Sequence, residues 1–487
     1  MKIKLIVIMV LAGLVNGCDE SFLDMPSKTA LSTPLYFKSQ SDFQQAINGA
    51  YAPLRGAYDG WNGAWSMGEL RSDNTTYKYN PNDRGTINGE YICDFLDDNT
   101  NGTTYNKYNC DYQVIARANQ ILALIDEVDF DTAAKNNIKG QACFLRAFSY
   151  FDLVQYFGSV PLHLKPATIL EETALPLSSV EDIYTQIIAD AQLAASLLPD
   201  KASQEPGRVT SGSAKTLLGN VYIILKRWSE AETILKDVKG YSLISNYEDI
   251  YDVTNKNNQE SIFEIQYKQG TEGFASSFFY TFLVQPITAE EITVVTGIPE
   301  NGRTIEGYNI PTPDIIAAYE PGDMRKEASI GYITAGGVSY PFIKKYLHPH
   351  ILSGNTDDNW PVYRYAEVLL LIAEALNEQN KTTEALPYLN QVRNRAGLPT
   401  FTGTQVQVRN AIIKERRIEL AFENKRWLDL VRLGIADNVM KAHGVRVKSN
   451  PQNYYFPQGI GPSPSAYTDI RLLFPIPASE VALNPYF

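Results

Sequence analysis

Cys18 follows a short apolar run and precedes an acidic pair of residues. Lys2 and Lys4 give the N-terminus positive charge, and Leu5 to Val15 supply the apolar stretch. That stretch is shorter than the roughly 20 residues of a membrane-spanning helix and is typical of a secretory signal. Gly17 provides the small residue expected before a cleavage site. The pattern resembles a bacterial lipoprotein signal, in which the cysteine thiol is acylated and becomes the mature N-terminus.

We therefore expect residues 1–17 to be a lipoprotein signal peptide and Cys18 to be the site of lipid attachment. Each buried CH₂ of an acyl chain contributes about 0.8 kcal/mol, so several chains hold a soluble body on a bilayer. Val15 stands where leucine is usual in such signals, and Asn16 is an uncommon neighbour of the cysteine. Ordinary secretion with an incidental cysteine is the alternative.

A second set of residues has the chemistry of a ligand site. Residues 57–80, AYDGWNGAWSMGELRSDNTTYKYN, place two tryptophans among Gly, Asn, Asp and Tyr without a sustained helical period. A sugar presents flat apolar faces rimmed by hydroxyls, so a site for it needs exposed rings beside polar groups. We expect ligand contacts from Trp61, Trp65, Asp73, Asn74, Tyr77 and Tyr79. The alternative is that the tryptophans attach this loop to the rest of the protein.

A further aromatic stretch is GFASSFFYTF, residues 273–282, in which Phe279 and Tyr280 are candidates for ligand contact. An ordinary buried strand is the alternative for this stretch. The remaining three tryptophans lie in or beside helical segments, and we expect them in the core.

Familiar catalytic and metal-binding patterns are incomplete in this chain. GRVTSGSAK begins like a phosphate-binding loop, but Ser213 follows its second glycine where lysine is needed. DDNTNG, residues 97–102, begins like a calcium loop, but Tyr108 stands where a bidentate glutamate is needed. His348 and His350 have no cluster of further metal ligands beside them, and we expect a solvated loop there. We expect no catalytic residue, no cofactor and no metal ion.

The segments that must position the ligand-site residues are predicted to be helical. Residues 207–241 and 362–398 each have the spacing of a tetratricopeptide repeat, whose period is about 34 residues. Two small residues stand the same distance apart in both, namely Gly219 and Ala231, and Ala373 and Ala385. Apolar residues at helical spacing predict further helices in 112–128, 138–158, 180–198 and 408–434. Chance helical hairpins are the alternative to a repeat.

Charge and cysteine content narrow the class of protein. The 487 residues contain 43 Lys and Arg against 55 Asp and Glu, and the net charge of −12 argues against nucleic acid as a partner. Cys93, Cys110 and Cys143 form an odd set, so we expect no disulfide framework. The charges of residues 415–427 suggest a basic patch, but on one face of a long helix we expect them to form salt bridges within the scaffold. Residues 242–360 are irregular, and long loops in a compact protein usually carry function.

Several stretches together resemble the SusD/RagB family, the lipid-anchored nutrient-binding proteins of Bacteroidetes outer membranes. These stretches are CDESFLDMPS, ACFLRAFSYFDLVQYFGSVPL, NWPVYRYAEVLLLIAEALNE, LNQVRNRAGL, IIKERRIELAFENKRWLDLVRLG and LLFPIPASEVALNP. They lie in the order expected of the family and cover nearly the whole chain. Asp19 and Glu20 also resemble the export signal that places such lipoproteins on the cell surface.

The resemblance implies a mainly α fold, with a tetratricopeptide-like scaffold of about four helix pairs, long irregular loops and a few short strands. We expect residues 18–487 to form a single SusD-like domain. Its scaffold is expected roughly in residues 110–240 and 360–435, and its ligand-binding loops roughly in residues 55–110 and 242–360. The family often places ligand contacts in the early loop.

The resemblance also implies a binding protein rather than an enzyme. Such a protein is a surface-exposed lipoprotein of the outer membrane that captures an oligosaccharide and delivers it to a SusC-like TonB-dependent transporter. Two alternatives remain open: a glycoside hydrolase, which needs two carboxylates across a cleft, and a repeat scaffold with only protein partners. Some family members take up peptides or other nutrients, so the ligand class rests on the resemblance.

Overall fold

The computed structural model of the protein describes residues 36–82, 87–299 and 305–487. The expected signal peptide and Cys18 lie outside these residues. Helices dominate the described chain and the strands are short, which confirms the mainly α class expected from the sequence. The domain boundaries expected from the sequence stay predictions.

Helices and strands are numbered in chain order over the described residues. The helices are α1 (Gln40–Tyr58), α2 (Asn88–Asp94), α3 (Gly102–Leu124), α4 (Thr132–Phe157), α5 (Val180–Leu197), α6 (Ser211–Ile224), α7 (Trp228–Lys236), α8 (Phe278–Thr281), α9 (Ala289–Thr296), α10 (Pro313–Ala318), α11 (Arg325–Ser329), α12 (Tyr365–Glu378), α13 (Thr382–Arg395), α14 (Gln405–Glu419), α15 (Arg426–Arg432), α16 (Ala436–Ser449) and α17 (Ala478–Leu483). The strands are β1 (Thr75–Thr76), β2 (Ser261–Ile265), β3 (Ile310–Pro311), β4 (Ile330–Ala335), β5 (Val338–Ile343) and β6 (Trp360–Arg364). A π-helical turn lies at Ser66–Leu70, and 3₁₀ turns lie at Leu170–Thr173, Tyr247–Ile250, Lys344–Tyr346 and Pro451–Tyr454.

Four helix pairs of the described chain stack side by side and form the scaffold. The pairs are α1 with α3, α4 with α5, α6 with α7, and α12 with α13, and α14 packs onto α12. Stacked pairs bury one continuous core, which no single pair could do alone. That core extends from Phe43 in α1 to Phe474 near the C-terminus.

The repeat spacing predicted from the sequence is confirmed by the packing of α6 against α7. Gly219 lets the two helices approach closely, because a Cβ atom there would lie 2.4 Å from a methyl carbon of Leu235. Ala231 and Leu235 are fully buried in the facing helix. Ala373 and Ala385 are fully buried at the equivalent places of α12 and α13.

Side-chain caps and one glycine fix where several of these helices begin and end. The Asn101 side chain accepts a hydrogen bond from the Thr103 amide at the start of α3 (3.0 Å). Thr210 caps α6 by accepting from the Ser213 amide (3.1 Å), and Ser213 accepts from the Thr210 amide in return. Helix α4 ends at Gly158, whose φ of +73° favours glycine. Such caps satisfy amides that the first helical turn leaves without a partner.

The irregular middle of the chain is attached to the scaffold by short antiparallel strand pairs. Strand β2 pairs with β6 and places Ile265 opposite Trp360. Strand β6 then leads directly into scaffold helix α12. Strand β1 pairs with β3, with Thr76 opposite Ile310, and β4 and β5 form a hairpin.

A buried network of ion pairs joins the middle of the chain to the C-terminal end of α14. The Arg364 guanidinium donates to Glu260 (2.6 Å), Glu419 (3.0 Å) and Glu423 (2.8 Å). Arg325 pairs with Glu419 from a different segment (3.0 Å). The expectation that the charges of residues 415–427 form internal salt bridges is confirmed.

The three cysteines of the described chain, Cys93, Cys110 and Cys143, are unpaired and buried. Burial raises the pKa of Cys110 to about 11, so this thiol stays protonated at neutral pH. Within the described residues no helix combines the length and apolar character needed to cross a bilayer.

Candidate functional site

The structure separates the eight residues that the sequence predicted to contact a ligand. Six are buried: Trp65, Asp73, Asn74, Tyr77, Phe279 and Tyr280. Trp61 keeps 49% of its surface exposed, and Tyr79 is partly buried. The exposure expected of the six buried side chains is wrong, and each of them packs against or bonds to other parts of the protein.

Trp65 attaches its loop to the body of the protein. Its indole N–H donates to the Gly60 carbonyl (3.2 Å), and its ring meets Phe282 edge-on at 4.9 Å. The ring also packs against Tyr308 at 6.2 Å. A Cβ atom at Gly63 would lie 2.1 Å from the indole nitrogen, so the loop wraps closely around this ring. Attachment of the loop was the alternative considered from the sequence, and Trp65 has this role in the structure.

Asp73 and Asn74 are held by arginines from the C-terminal part of the scaffold. Asp73 pairs with Arg426 (2.8 Å) and with Arg417 (2.9 Å). Burial alone would raise the pKa of Asp73, but these two guanidinium groups hold it well below its ordinary value. Asn74 donates to Glu69 (2.9 Å) and accepts from Arg417 (2.8 Å). These groups are used for internal contacts and do not point to a ligand.

Tyr77 and Tyr280 place their hydroxyl groups on buried partners. Tyr77 donates to Asp94 (2.9 Å), and the Tyr280 hydroxyl hydrogen-bonds to Nε2 of His350 (2.6 Å). The solvated loop expected around His350 is wrong, because this imidazole is buried against the tyrosine. Phe279 is buried in the short helix α8 rather than in the strand considered from the sequence.

Tyr79 packs against an aromatic residue from the C-terminal part of the chain. Its ring stacks on Phe456 with 5.9 Å between centroids, and the neighbouring Lys78 amide donates to the Gly307 carbonyl (2.8 Å). Ligand contact by Tyr79 stays a prediction.

Two further exposed rings belong to segments that are hydrogen-bonded to the loop of Trp61. Tyr91 of helix α2 is 42% exposed, and Tyr105 near the start of α3 is 43% exposed. Trp61 itself lies in the loop that follows α1. Three different segments of the early chain therefore each contribute one exposed aromatic side chain.

Asparagine side chains bind these three segments to one another. Asn62 accepts hydrogen bonds from the Asn88 amide (3.4 Å) and from the Thr103 hydroxyl (3.2 Å). The Asn106 side chain donates to the backbone carbonyl of Asn62 (3.2 Å), and the Asn101 side chain donates to that of Asn88 (3.0 Å). We call this surface the amide face, and define it by Trp61, Tyr91, Tyr105, Asn62, Asn88 and Asn106.

Each exposed ring is close in sequence to an asparagine of this network. Trp61 adjoins Asn62 in the chain and Tyr105 adjoins Asn106, while Tyr91 lies one helical turn after Asn88. Rings desolvate apolar surface, and amides both donate and accept hydrogen bonds beside them. The amide face therefore has the chemistry that suits a ligand with flat apolar faces and many hydroxyl groups.

Sequence reasoning found Trp61 but missed Tyr91 and Tyr105. Both tyrosines lie in helices, where an aromatic residue is normally part of the core. The available signal was the density of asparagine around them, in INGEY and NTNGTTYNKYN. That composition does not reveal that both segments are hydrogen-bonded to the loop of Trp61.

Two family profiles match this chain. Residues 21–223 match a profile described as starch-binding associating with outer membrane, and residues 315–486 match the profile of the SusD family. A SusD-like protein of Formosa agariphila, named P2, is 28% identical, and the match spans 99% of this chain and 98% of that protein.

Solved structures agree with these sequence matches. A laminarin-binding SusD-like protein superposes with a TM-score of 0.75 at 25% identity, over 92% of this chain and 98% of its own. A SusD superfamily protein of Bacteroides vulgatus superposes with a TM-score of 0.73 at 26% identity, over 93% of this chain and 98% of its own. Family profiles at both ends, a relative matched along its whole length and the shared helical fold point to one conclusion. Along nearly its whole length, this chain is similar to proteins of the SusD family.

Proposed function

We propose that this protein binds an oligosaccharide on the amide face and does not alter it chemically. The single observation that carries the proposal is the grouping of Trp61, Tyr91 and Tyr105, all exposed, around hydrogen-bonded asparagines. The resemblance to a laminarin-binding structure supports a glycan as the ligand class. A polysaccharide fragment can place successive sugar rings on successive aromatic side chains.

We further propose that the ligand is passed to a SusC-like TonB-dependent transporter, with the protein held on the outer surface of the outer membrane by lipid on Cys18. The support is the lipoprotein-like signal before Cys18 and a family description that names association with the outer membrane. Weak binding by a few stacked rings suits a protein that must release its ligand to a partner. Each aromatic contact adds about 0.5–1.5 kcal/mol beyond the area that it buries.

The test measures binding of the purified body, beginning after Cys18, to laminarin, xyloglucan and starch oligosaccharides by isothermal titration calorimetry. We expect the substitution Trp61→Ala to weaken binding of the recognised glycan by about tenfold, equivalent to about 1.4 kcal/mol. Tyr332→Ala is the matched control, because Tyr332 is 57% exposed on strand β4 and lies outside the amide face. Its affinity should equal that of the unaltered protein.

Two outcomes would replace the proposal with the alternatives considered from the sequence. New reducing ends after prolonged incubation with the same oligosaccharides would indicate a glycoside hydrolase. Failure of every glycan to bind would favour a repeat scaffold with only protein partners. Equal affinities for the Trp61→Ala and unaltered proteins would move the site away from the amide face.

A further inference from the structure

A cavity of about 200 Å³ opens beside the last turns of helix α1. It lies between α1, strand β2 and the segment that joins α5 to α6, and polar side chains line it, among them Asn48, Tyr51, Arg55, Arg208 and Gln266. The volume is below the roughly 300–1,000 Å³ typical of pockets for drug-sized ligands. It therefore suits a single small unit, such as one sugar ring.

The two carboxylates at this cavity have different partners. Glu205 pairs with Arg208, whose guanidinium also donates to the Asn48 side chain (2.8 Å). Glu264 accepts a hydrogen bond from Asn359 (2.8 Å). The charge of Glu205 is thus offset by Arg208, and Glu264 is held by an asparagine side chain.

Arg55 differs from Arg208. Within the described residues no carboxylate forms an ion pair with its guanidinium group, although the protein as a whole is acidic. The guanidinium carbon lies 4.8 Å from the ring centroid of Phe274, which is 42% exposed. Within the described residues, Arg55 therefore gives the cavity a guanidinium group without an ion-pair partner, next to an exposed aromatic ring.

One side chain connects the backbone next to Arg55 to the amide face. Asn106 donates to the carbonyl of Gly56 (2.9 Å), the residue after Arg55, and to the carbonyl of Asn62 (3.2 Å). The end of helix α1 that carries Arg55 is therefore hydrogen-bonded to the same asparagine as the loop of Trp61.

We propose that the cavity beside Arg55 is a subsite for an anionic sugar unit, carboxylated or sulfated, of the glycan bound on the amide face. The planar guanidinium fork of arginine matches the paired oxygens of a carboxylate or sulfate. Phe274 supplies a ring for the apolar face of the same unit. This inference rests on the proposed function and names its substrate class as an acidic glycan.

Binding of matched probe pairs tests the inference. One pair is an oligogalacturonate and its methyl ester, and the other is a κ-carrageenan oligosaccharide and its desulfated form. The first pair isolates a carboxylate and the second a sulfate, so the two sources of negative charge are distinguished. We expect the charged member of at least one pair to bind at least tenfold more tightly than its neutral counterpart, with a preference that falls as salt is added.

Three variants test which side chain causes the preference for charged glycans. Arg55→Met should reduce it to less than twofold, and Glu264→Gln, which removes a negative charge from the cavity, should increase it. Lys135→Met is the matched control, because Lys135 also lies over an aromatic ring (5.2 Å from the centroid of Phe130) but away from the cavity. It should leave the preference unchanged. Melting temperatures are measured for all three, because a cation in the last turn of α1 also favours the helix itself.

The outcomes separate this inference from the function on which it rests. Neutral glycans that bind as tightly as charged ones would overturn the acidic subsite and leave glycan binding intact. A folded Arg55→Met protein that keeps its charge preference would also overturn the subsite. Failure of all charged and neutral glycans to bind would remove the proposed function and the subsite together.

Discussion

Arg426 binds the carboxylate of Asp73 through two hydrogen bonds, from Nε at 2.8 Å and from the terminal NH₂ at 3.2 Å. Both side chains are buried, and Arg417 pairs with the same carboxylate from helix α14. The loop after α1 is thereby attached to the far end of the scaffold. The ion pair explains why an aspartate in an otherwise ligand-like loop is not available to a ligand.

Asp73→Asn should lower the free energy of unfolding by about 3 kcal/mol. Removing one partner of a buried ion pair leaves the opposite charge buried and uncompensated, which costs about 3–5 kcal/mol. Urea denaturation followed by circular dichroism measures the change. Asp126→Asn is the control: Asp126 pairs with Lys139 at the surface, and such pairs contribute about 1 kcal/mol or less. Unchanged stability of Asp73→Asn together with weaker glycan binding would restore Asp73 as a ligand contact.

Stability should be greatest near pH 5 and fall on both sides. Burial raises the pKa of Glu69 and of Asp94 to about 7, well above their ordinary values. The folded state then binds more protons than the unfolded state between about pH 4 and 7, so stability falls as pH rises through this range.

The pKa values of Glu419 and Glu423 are shifted in the opposite direction. Despite burial, neighbouring arginines and a lysine lower their pKa values to about 2, so their contribution is lost as pH falls from about 5 to 2.

The variant Glu69→Gln checks the alkaline side of this profile. A pKa of about 7 against an ordinary 4.5 corresponds to about 3 kcal/mol. The decline in unfolding free energy between pH 5 and pH 8 should therefore shrink by about that amount in the variant. An unaltered decline would show that Glu69 is ionised in the folded protein throughout this range.

Two helical glycines should respond to alanine with opposite signs. Alanine in place of a glycine inside a helix normally stabilises by about 0.5–1 kcal/mol. Gly49 in α1 has open space at its Cβ position, so Gly49→Ala should raise the melting temperature. Gly219→Ala should lower it, because the added methyl group would lie 2.4 Å from Leu235. The double variant Gly219→Ala, Leu235→Ala should lose less stability than the sum of the single changes.

The helix pairs could be predicted because their determining contacts are local in the sequence. Gly219 meets Leu235 within one hairpin, so the spacing of small and apolar residues contains the packing relationship itself. The internal salt bridges of residues 415–427 could be anticipated in kind, because this segment carries many charges of both signs. Their partners Arg364, in strand β6, and Arg325, in helix α11, lie far away in the sequence and could not be named.

The candidate site was predictable only in its position along the chain. Asp73 seemed free to bind a ligand because its partner Arg426 lies 353 positions away in the sequence. No local sequence pattern indicates such a contact. Tyr91 and Tyr105 were missed for the opposite reason: their positions in helices suggested that they are buried, whereas both are exposed. Exposure of a side chain depends on which distant segment packs over it, and that information is absent from a short stretch of sequence.

Replacing Trp61 and replacing Trp65 should have different effects, although both tryptophans lie in one loop. Trp65→Ala should lower the free energy of unfolding by about 3–5 kcal/mol, since it empties a buried volume between Phe282 and Tyr308. Trp61→Ala should change stability by about 0.5 kcal/mol or less, because half of its ring surface already faces solvent.

Glycan binding should show the opposite order. Under conditions where both variants are folded, Trp61→Ala should lose about tenfold in affinity and Trp65→Ala should retain most of it. Urea denaturation and calorimetric titration on the same preparations measure the two quantities side by side. A loss of affinity in Trp65→Ala equal to that in Trp61→Ala would mean that the loop, rather than the exposed ring, is what the ligand recognises. Such a result would transfer the site from the amide face to the loop that Trp65 attaches.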